Sequence, residues 1–119
     1  MQQTKELGNY GEQAIARFLQ KYNFEILEKN YQTKFGEIDL IAQKGELLVF
    51  VEVKTRKAKH FPISNVVTIG KQRKISKTAK FFIAKNNVVD MVCRFDVATV
   101  IPKVDSFKIE YIKNAFPSC

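Results

Sequence analysis

At 119 residues, with 45% hydrophobic content and ten phenylalanines, the chain is long enough for one buried core and reads as a single domain spanning 1–119. No stretch approaches the ~18 apolar residues of a membrane span, and two cysteines with one histidine supply no disulfide framework, zinc set or Ser-His-Asp triad. The net charge of +8 is unevenly placed: no acidic residue lies between Glu52 and Asp90, an interval holding ten of the twenty Lys and Arg residues.

The polar opening, MQQTKELGNYGEQ, has no secretory pattern, so a cytoplasmic location is expected. Thr4 is a candidate N-cap for a first helix over Lys5–Tyr22. Leu7, Gly11, Ala14, Ile15, Phe18, Leu19 and Tyr22 form its apolar stripe, and Glu12 sits at the stripe's edge, close to whatever the helix packs on. Gly8 and Gly11 would allow a close approach by another backbone or a phosphate.

Phe24–Glu28 reads as a strand ending in a turn near Asn30, and Tyr31–Lys34 leads into a hairpin. The first arm, Glu37–Ala42, alternates, with Ile38, Leu40 and Ala42 on one face and Glu37, Asp39 and Ile41 on the other. Gln43–Glu46, with Lys44-Gly45, is the turn. The second arm, Leu47–Thr55, is nearly all apolar, as suits a strand buried on both faces. Yet it carries Glu52 and Lys54, two residues apart and therefore on one face, and the hairpin can set Asp39 beside them. Two converging carboxylates repel unless a cation lies between them. A hard divalent ion takes such oxygens. The alternative allowed by the same spacing is a structural ion pair of Lys54 with Glu52 or Asp39.

Lys57–Asn65, containing His60, Phe61 and Pro62, is an exposed loop beside this stretch. Thr68 caps a second helix over Ile69–Lys85, in which Ile75, Ala79, Phe82 and Ile83 form the buried stripe. Lys71, Lys74, Lys77 and Lys80 lie mainly opposite, with Arg73 flanking. An acid-free basic block beside buried carboxylates favours a polyanionic partner, most simply nucleic acid, over a face that is basic only for solubility. Val88–Ile101 and Ser106–Ile112 are the last strands, the second with Phe107, Ile109 and Tyr111 on one face, and Ala115–Cys119 is a tail. The order αβββαββ predicts an α/β fold with a mixed central sheet flanked by helices.

Asp39 followed thirteen residues later by Glu52-Val53-Lys54 resembles the D…ExK core of the PD-(D/E)XK nuclease superfamily. The longer string GEIDLI…LVFVEVKTR resembles the small bacterial YraN-like family of endonucleases, similar to archaeal Holliday-junction resolvases. The resemblance covers roughly Leu7 to Val100, with Ile38 where the superfamily's name has Pro. It implies a restriction-endonuclease-like core and hydrolysis of DNA phosphodiester bonds, with branched or structured DNA favoured and a homodimer as the assembly. It further implies Mg²⁺ or Mn²⁺ on Asp39, Glu52 and the Val53 carbonyl, with Lys54 orienting water or stabilising charge. Glu12, in GEQAIARFL, matches a first-helix glutamate of the resolvase-like branch. Thr55, Arg56, Lys57, Lys71, Arg73, Lys74, Lys77 and Lys80 are the expected nucleic-acid contacts. A non-catalytic nucleic-acid-binding module on the same fold is the rival reading.

Overall fold

The arrangement follows from the apolar faces the elements must hide. In the computed structural model, which describes the backbone of residues 2–55 and 67–117 and the side chains from residue 9 onward within those spans, the elements run in a fixed order. Helix α1 (Gln2–Lys21) is followed by strands β1 (Glu25–Thr33), β2 (Gly36–Lys44) and β3 (Leu47–Thr55), helix α2 (Ile69–Lys85), and strands β4 (Val92–Pro102) and β5 (Phe107–Phe116). The five strands form one sheet in sequence order. All neighbours are antiparallel except β3 and β4, which are parallel. A parallel pair needs a long crossover, and α2 lies within it.

The helices cover opposite faces. Ile75, Ala79 and Phe82 of α2 pack with Leu48, Phe50, Phe95 and Val97, whereas Ala14, Ile15 and Leu19 of α1 pack with Val49, Val51, Ala98 and Val100. Strand β3 therefore alternates between two hydrophobic layers, which explains its nearly continuous apolar sequence. Thr68 is the N-cap of α2, its hydroxyl accepting the Lys71 amide at 3.2 Å.

Several expected boundaries shift. Helix α1 begins at Gln2, so Thr4 lies inside it, and Tyr22 is exposed beyond its end. Strand β1 does not stop near Asn30; Asn30 adopts φ 52° and the strand continues to Thr33. An asparagine tolerates that left-handed conformation better than most residues. The alternation of β2 breaks between Ile38 and Leu40: Ile38 packs with Ile41 on the α2 side, while Leu40 and Ala42 face α1. Tyr31 packs edge-on against Phe82 of the core at 5.3 Å between centroids. Strand β4 starts at Val92 and β5 runs to Phe116, whose buried ring stacks on Phe95 at 4.9 Å. The expected tail is thus part of the sheet as far as Phe116. The 57–65 loop with His60 lies outside the described residues.

Candidate functional site

The β2–β3 ladder opens beside the carboxylates. Its register runs from Lys44 opposite Leu47 to Leu40 opposite Val51 and goes no further. Beyond that point the Val53 amide donates not to β2's backbone but to Asp39 Oδ2, at 2.8 Å. The aspartate side chain thus satisfies a buried ladder donor where the two strands part. The pairing sets Asp39 and Glu52 side by side at the opening, close enough for each carboxyl to feel the other's charge.

Such closeness favours a proton or a cation. Burial, reinforced by the neighbouring Glu52 charge, pushes the Asp39 carboxyl up to about 8, against the opposing effect of the Val53 amide. Glu52 is 7% exposed and is ion-paired with the Lys71 ammonium from the first turn of α2. Glu12, half-buried on α1, is also raised, mainly by desolvation, against the opposing effect of the nearby Asn30 amide and with the charges of Glu37 and Glu52 adding to it. It lies within electrostatic reach of Asp39 and Glu52 but does not line the cleft over them. Among the described residues, no three His, Cys, Asp or Glu side chains gather closely enough to form a ready metal cluster.

A cleft of about 470 Å³ opens over the pair, lined among others by Glu37, Asp39, Glu52, Gly70, Lys71 and Lys74. Close packing fixes its width: a side chain on Gly36 would meet Lys74 Cβ at 3.2 Å, so the hairpin and α2 nearly touch. Three cleft residues belong to the first turn of α2 or its cap, where unpaired amides and the helix dipole offer positive potential.

The structure brings together Asp39, Glu52, Lys71 and Lys74, and leaves other expected residues apart. Lys54 is exposed on β3 beyond Glu52 and does not line the cleft. Lys71, expected as a nucleic-acid contact, stands instead where Lys54 was expected, as the ion-pair partner of Glu52. Val53 meets Asp39 through its amide. Thr55 turns its hydroxyl against Gly11 of α1, where it would collide with any side chain added there. Arg73, Lys77 and Lys80 are exposed on α2; Arg56 and Lys57 lie outside the described residues. Glu37 and Asn30 were not foreseen. Glu37 follows from strand parity with Asp39, but the asparagine's role depends on a kink that no pattern announced.

Residues 11–100 match the model of the uncharacterised protein family UPF0102, a span holding Glu12, the three cleft carboxylates and α2. The chain belongs to this family. A UPF0102 protein of Alkaliphilus metalliredigens is 42% identical over 95% of this chain and 99% of its own length. Another from Geotalea daltonii is 46% identical over 95% of this chain and 91% of its own. One from Desulforapulum autotrophicum is 43% identical, covering 96% and 95%. This UPF0102 protein is thus matched over nearly its whole length, so the site belongs to the part shared with its relatives. Among the described residues, no helix is long and apolar enough to cross a membrane.

Proposed function

We propose that this UPF0102 protein is a metal-dependent endonuclease that hydrolyses DNA phosphodiester bonds, acting in the cytoplasm. The observation that carries the reading is the buried Asp39–Glu52 pair, held side by side at the parting of two strands and facing a cleft walled by Lys71, Lys74 and the start of α2. Two buried carboxylates side by side are unfavourable as a purely structural device. Their oxygens suit a hard cation, and the Lys71 ammonium already shows that the site accepts positive charge. The order of a three-strand meander, a crossover helix and a parallel strand supports ranking the sheet with restriction-endonuclease-like cores.

Asp39 and Glu52 would hold Mg²⁺ or Mn²⁺, with the Val53 carbonyl as a further hard donor. When bound, the ion supplies Lewis acidity toward a phosphoryl oxygen and activates water. The chain's own residues do the rest. The Val53 amide fixes the Asp39 carboxylate in one orientation. Lys71 neutralises Glu52 and exchanges that role for a phosphate contact as substrate enters. Lys74 and the first turn of α2 draw the strand's phosphates into the cleft. Lys54 stands one strand repeat, roughly 7 Å, beyond Glu52, and its flexible side chain orients water or steadies developing charge. Glu12, raised toward the neutral form, is placed to hold a proton or a water within electrostatic reach of the pair. Arg73, Lys77 and Lys80 contact the backbone without reading sequence. By resemblance, branched or structured DNA is the favoured substrate class and a homodimer the favoured assembly.

The Lys71–Glu52 pair favours a second reading, a module that binds nucleic acid on this fold without cutting it. The two separate on a panel of linear, flapped, forked and four-way DNAs incubated with Mg²⁺, Mn²⁺ or EDTA. Divalent-dependent cleavage of at least one member supports the enzyme; binding without cleavage supports the module.

A further inference from the structure

At the far end of the sheet from the carboxylate cleft lies a larger cavity, of about 610 Å³, within the roughly 300–1,000 Å³ range of small-molecule sites. Leu47 and Arg94, near the starts of β3 and β4, are among its lining residues. Leu47 lies five residues before Glu52 on β3, roughly 17 Å along the strand, and the cavity opens on the α1 face, away from α2. Its walls combine two chemistries. Phe18, Tyr22, Phe24 and Tyr111 supply aromatic rings, all partly solvent-accessible. Phe18 already stacks on Tyr111 at 5.5 Å with 30° between planes, and packs against Tyr22 at 5.0 Å. Lys44, Arg94 and Lys113 supply positive charge, with Lys44 over the Phe24 ring at 5.6 Å.

The wall is built from behind by a fully buried carboxylate. Asp96 is 0% exposed, and accepts Arg94 Nε at 2.8 Å, Arg94 Nη2 at 2.9 Å, the Tyr111 hydroxyl at 2.6 Å and the Asn114 amide at 2.9 Å. Burying a charge this completely is unfavourable without full pairing. The Asn114 amide, at φ 53° where the β4–β5 register shifts, accounts for a bulge-pinning role. That role does not require Arg94 and Tyr111, whose side chains run from Asp96 to the cavity. Their effect is to hold a guanidinium and a phenol ring in fixed orientation at its wall, with the remaining guanidinium donors uncommitted to Asp96.

We propose that this cavity is a nucleotide-binding site, taking a base against the aromatic rings and its phosphate on Arg94, Lys44 and Lys113. Aromatic faces accept any base by stacking, and Arg and Lys are the usual phosphate donors. The site is remote from the nuclease cleft and does not depend on cleavage there.

Calorimetric titration of the full chain in EDTA tests it, with dAMP, deoxyadenosine, inorganic phosphate and a short single-stranded tetranucleotide as probes. Saturable dAMP binding is expected, stronger than that of either deoxyadenosine or phosphate alone. Tyr22→Ala, at an exposed position, should weaken dAMP about tenfold by loss of one stacking surface. Lys44→Ala should weaken dAMP but not deoxyadenosine, with Lys44→Arg restoring it, while Lys103→Ala, at an exposed lysine that lines neither cavity, should have no effect. A tetranucleotide binding more tightly through the same residues would identify the occupant as an unpaired strand; equal affinity would identify a free nucleotide. Absence of dAMP binding, equal binding of phosphate and dAMP, or dAMP affinity indifferent to both Tyr22→Ala and Lys44→Ala would overturn the assignment. Circular dichroism of each variant confirms that the fold is retained.

Discussion

Replacing Asp39 by Asn should change not only the stability of the protein but its dependence on pH. In the fold, burial and the Glu52 charge raise the Asp39 carboxyl from 3.8 to about 8. The folded chain therefore keeps a proton that the unfolded chain releases between those values. A raised carboxyl pKa contributes stability that is complete below the unfolded pKa and is lost as pH rises through the folded one. Across that window the wild type should lose up to about 1.4 kcal/mol per pH unit relative to Asp39→Asn, several kcal/mol in all. The asparagine keeps a carbonyl oxygen for the Val53 amide, so the ladder donor stays satisfied. Urea unfolding followed by far-ultraviolet circular dichroism, in EDTA at pH 5 to 9, measures the difference directly. Curves for the two proteins that diverge steadily to about pH 8, with the variant increasingly the more stable, are expected. Parallel curves would show that Asp39 titrates as an ordinary surface carboxyl and would refute the reasoning.

Three further outcomes follow from the same geometry. Lys71→Met leaves the buried Glu52 without its ammonium, and should cost about 1–3 kcal/mol in EDTA, part of it recovered on adding Mg²⁺, as read by thermal melts. Gly11→Ala drives a methyl into the Thr55 hydroxyl and should destabilise by about 1–3 kcal/mol in denaturant titrations, with Thr55→Ala in the same chain relieving most of the loss. For Lys77→Ala with Lys80→Ala, the log–log salt dependence of duplex affinity should flatten by about 1.8 if both exposed lysines neutralise phosphates, and an unchanged slope would remove this face of α2 from the contact surface.

The periodicity of this chain revealed its elements better than its joints. Leu47–Thr55 and Ile69–Lys85 coincide with their expected spans, because a two-faced apolar strand and a capped amphipathic helix each carry a strong local pattern. Asp39 and Glu52 were legible as a pair for the same reason, since hairpin register and strand parity are fixed by the apolar pattern around them. What escaped was set by tertiary geometry. Ile38 lies in the other layer from Leu40, a break in β2 that the alternating pattern did not announce, and the packing of α2 on the sheet sets Lys71, not Lys54, against Glu52. Phe116 looked like tail because its partner Phe95 lies twenty-one residues away in the sequence, beyond any local pattern. The Asp96 network was equally hidden, since Arg94, Asp96 and Tyr111 read singly as the polar face and end of two strands.

The most direct measurement is single-turnover cleavage of whichever panel DNA the wild type cuts, compared with Glu52→Gln purified in parallel. Glutamine keeps the shape of the side chain and removes the charge that holds a cation. Cleavage that needs Mg²⁺ or Mn²⁺ and falls by a factor of about 10² or more in the variant, with DNA affinity retained, is the predicted result. Equal cleavage by both proteins, or none by the wild type on any DNA that it binds, would contradict the assignment of Asp39 and Glu52 as a hydrolytic centre.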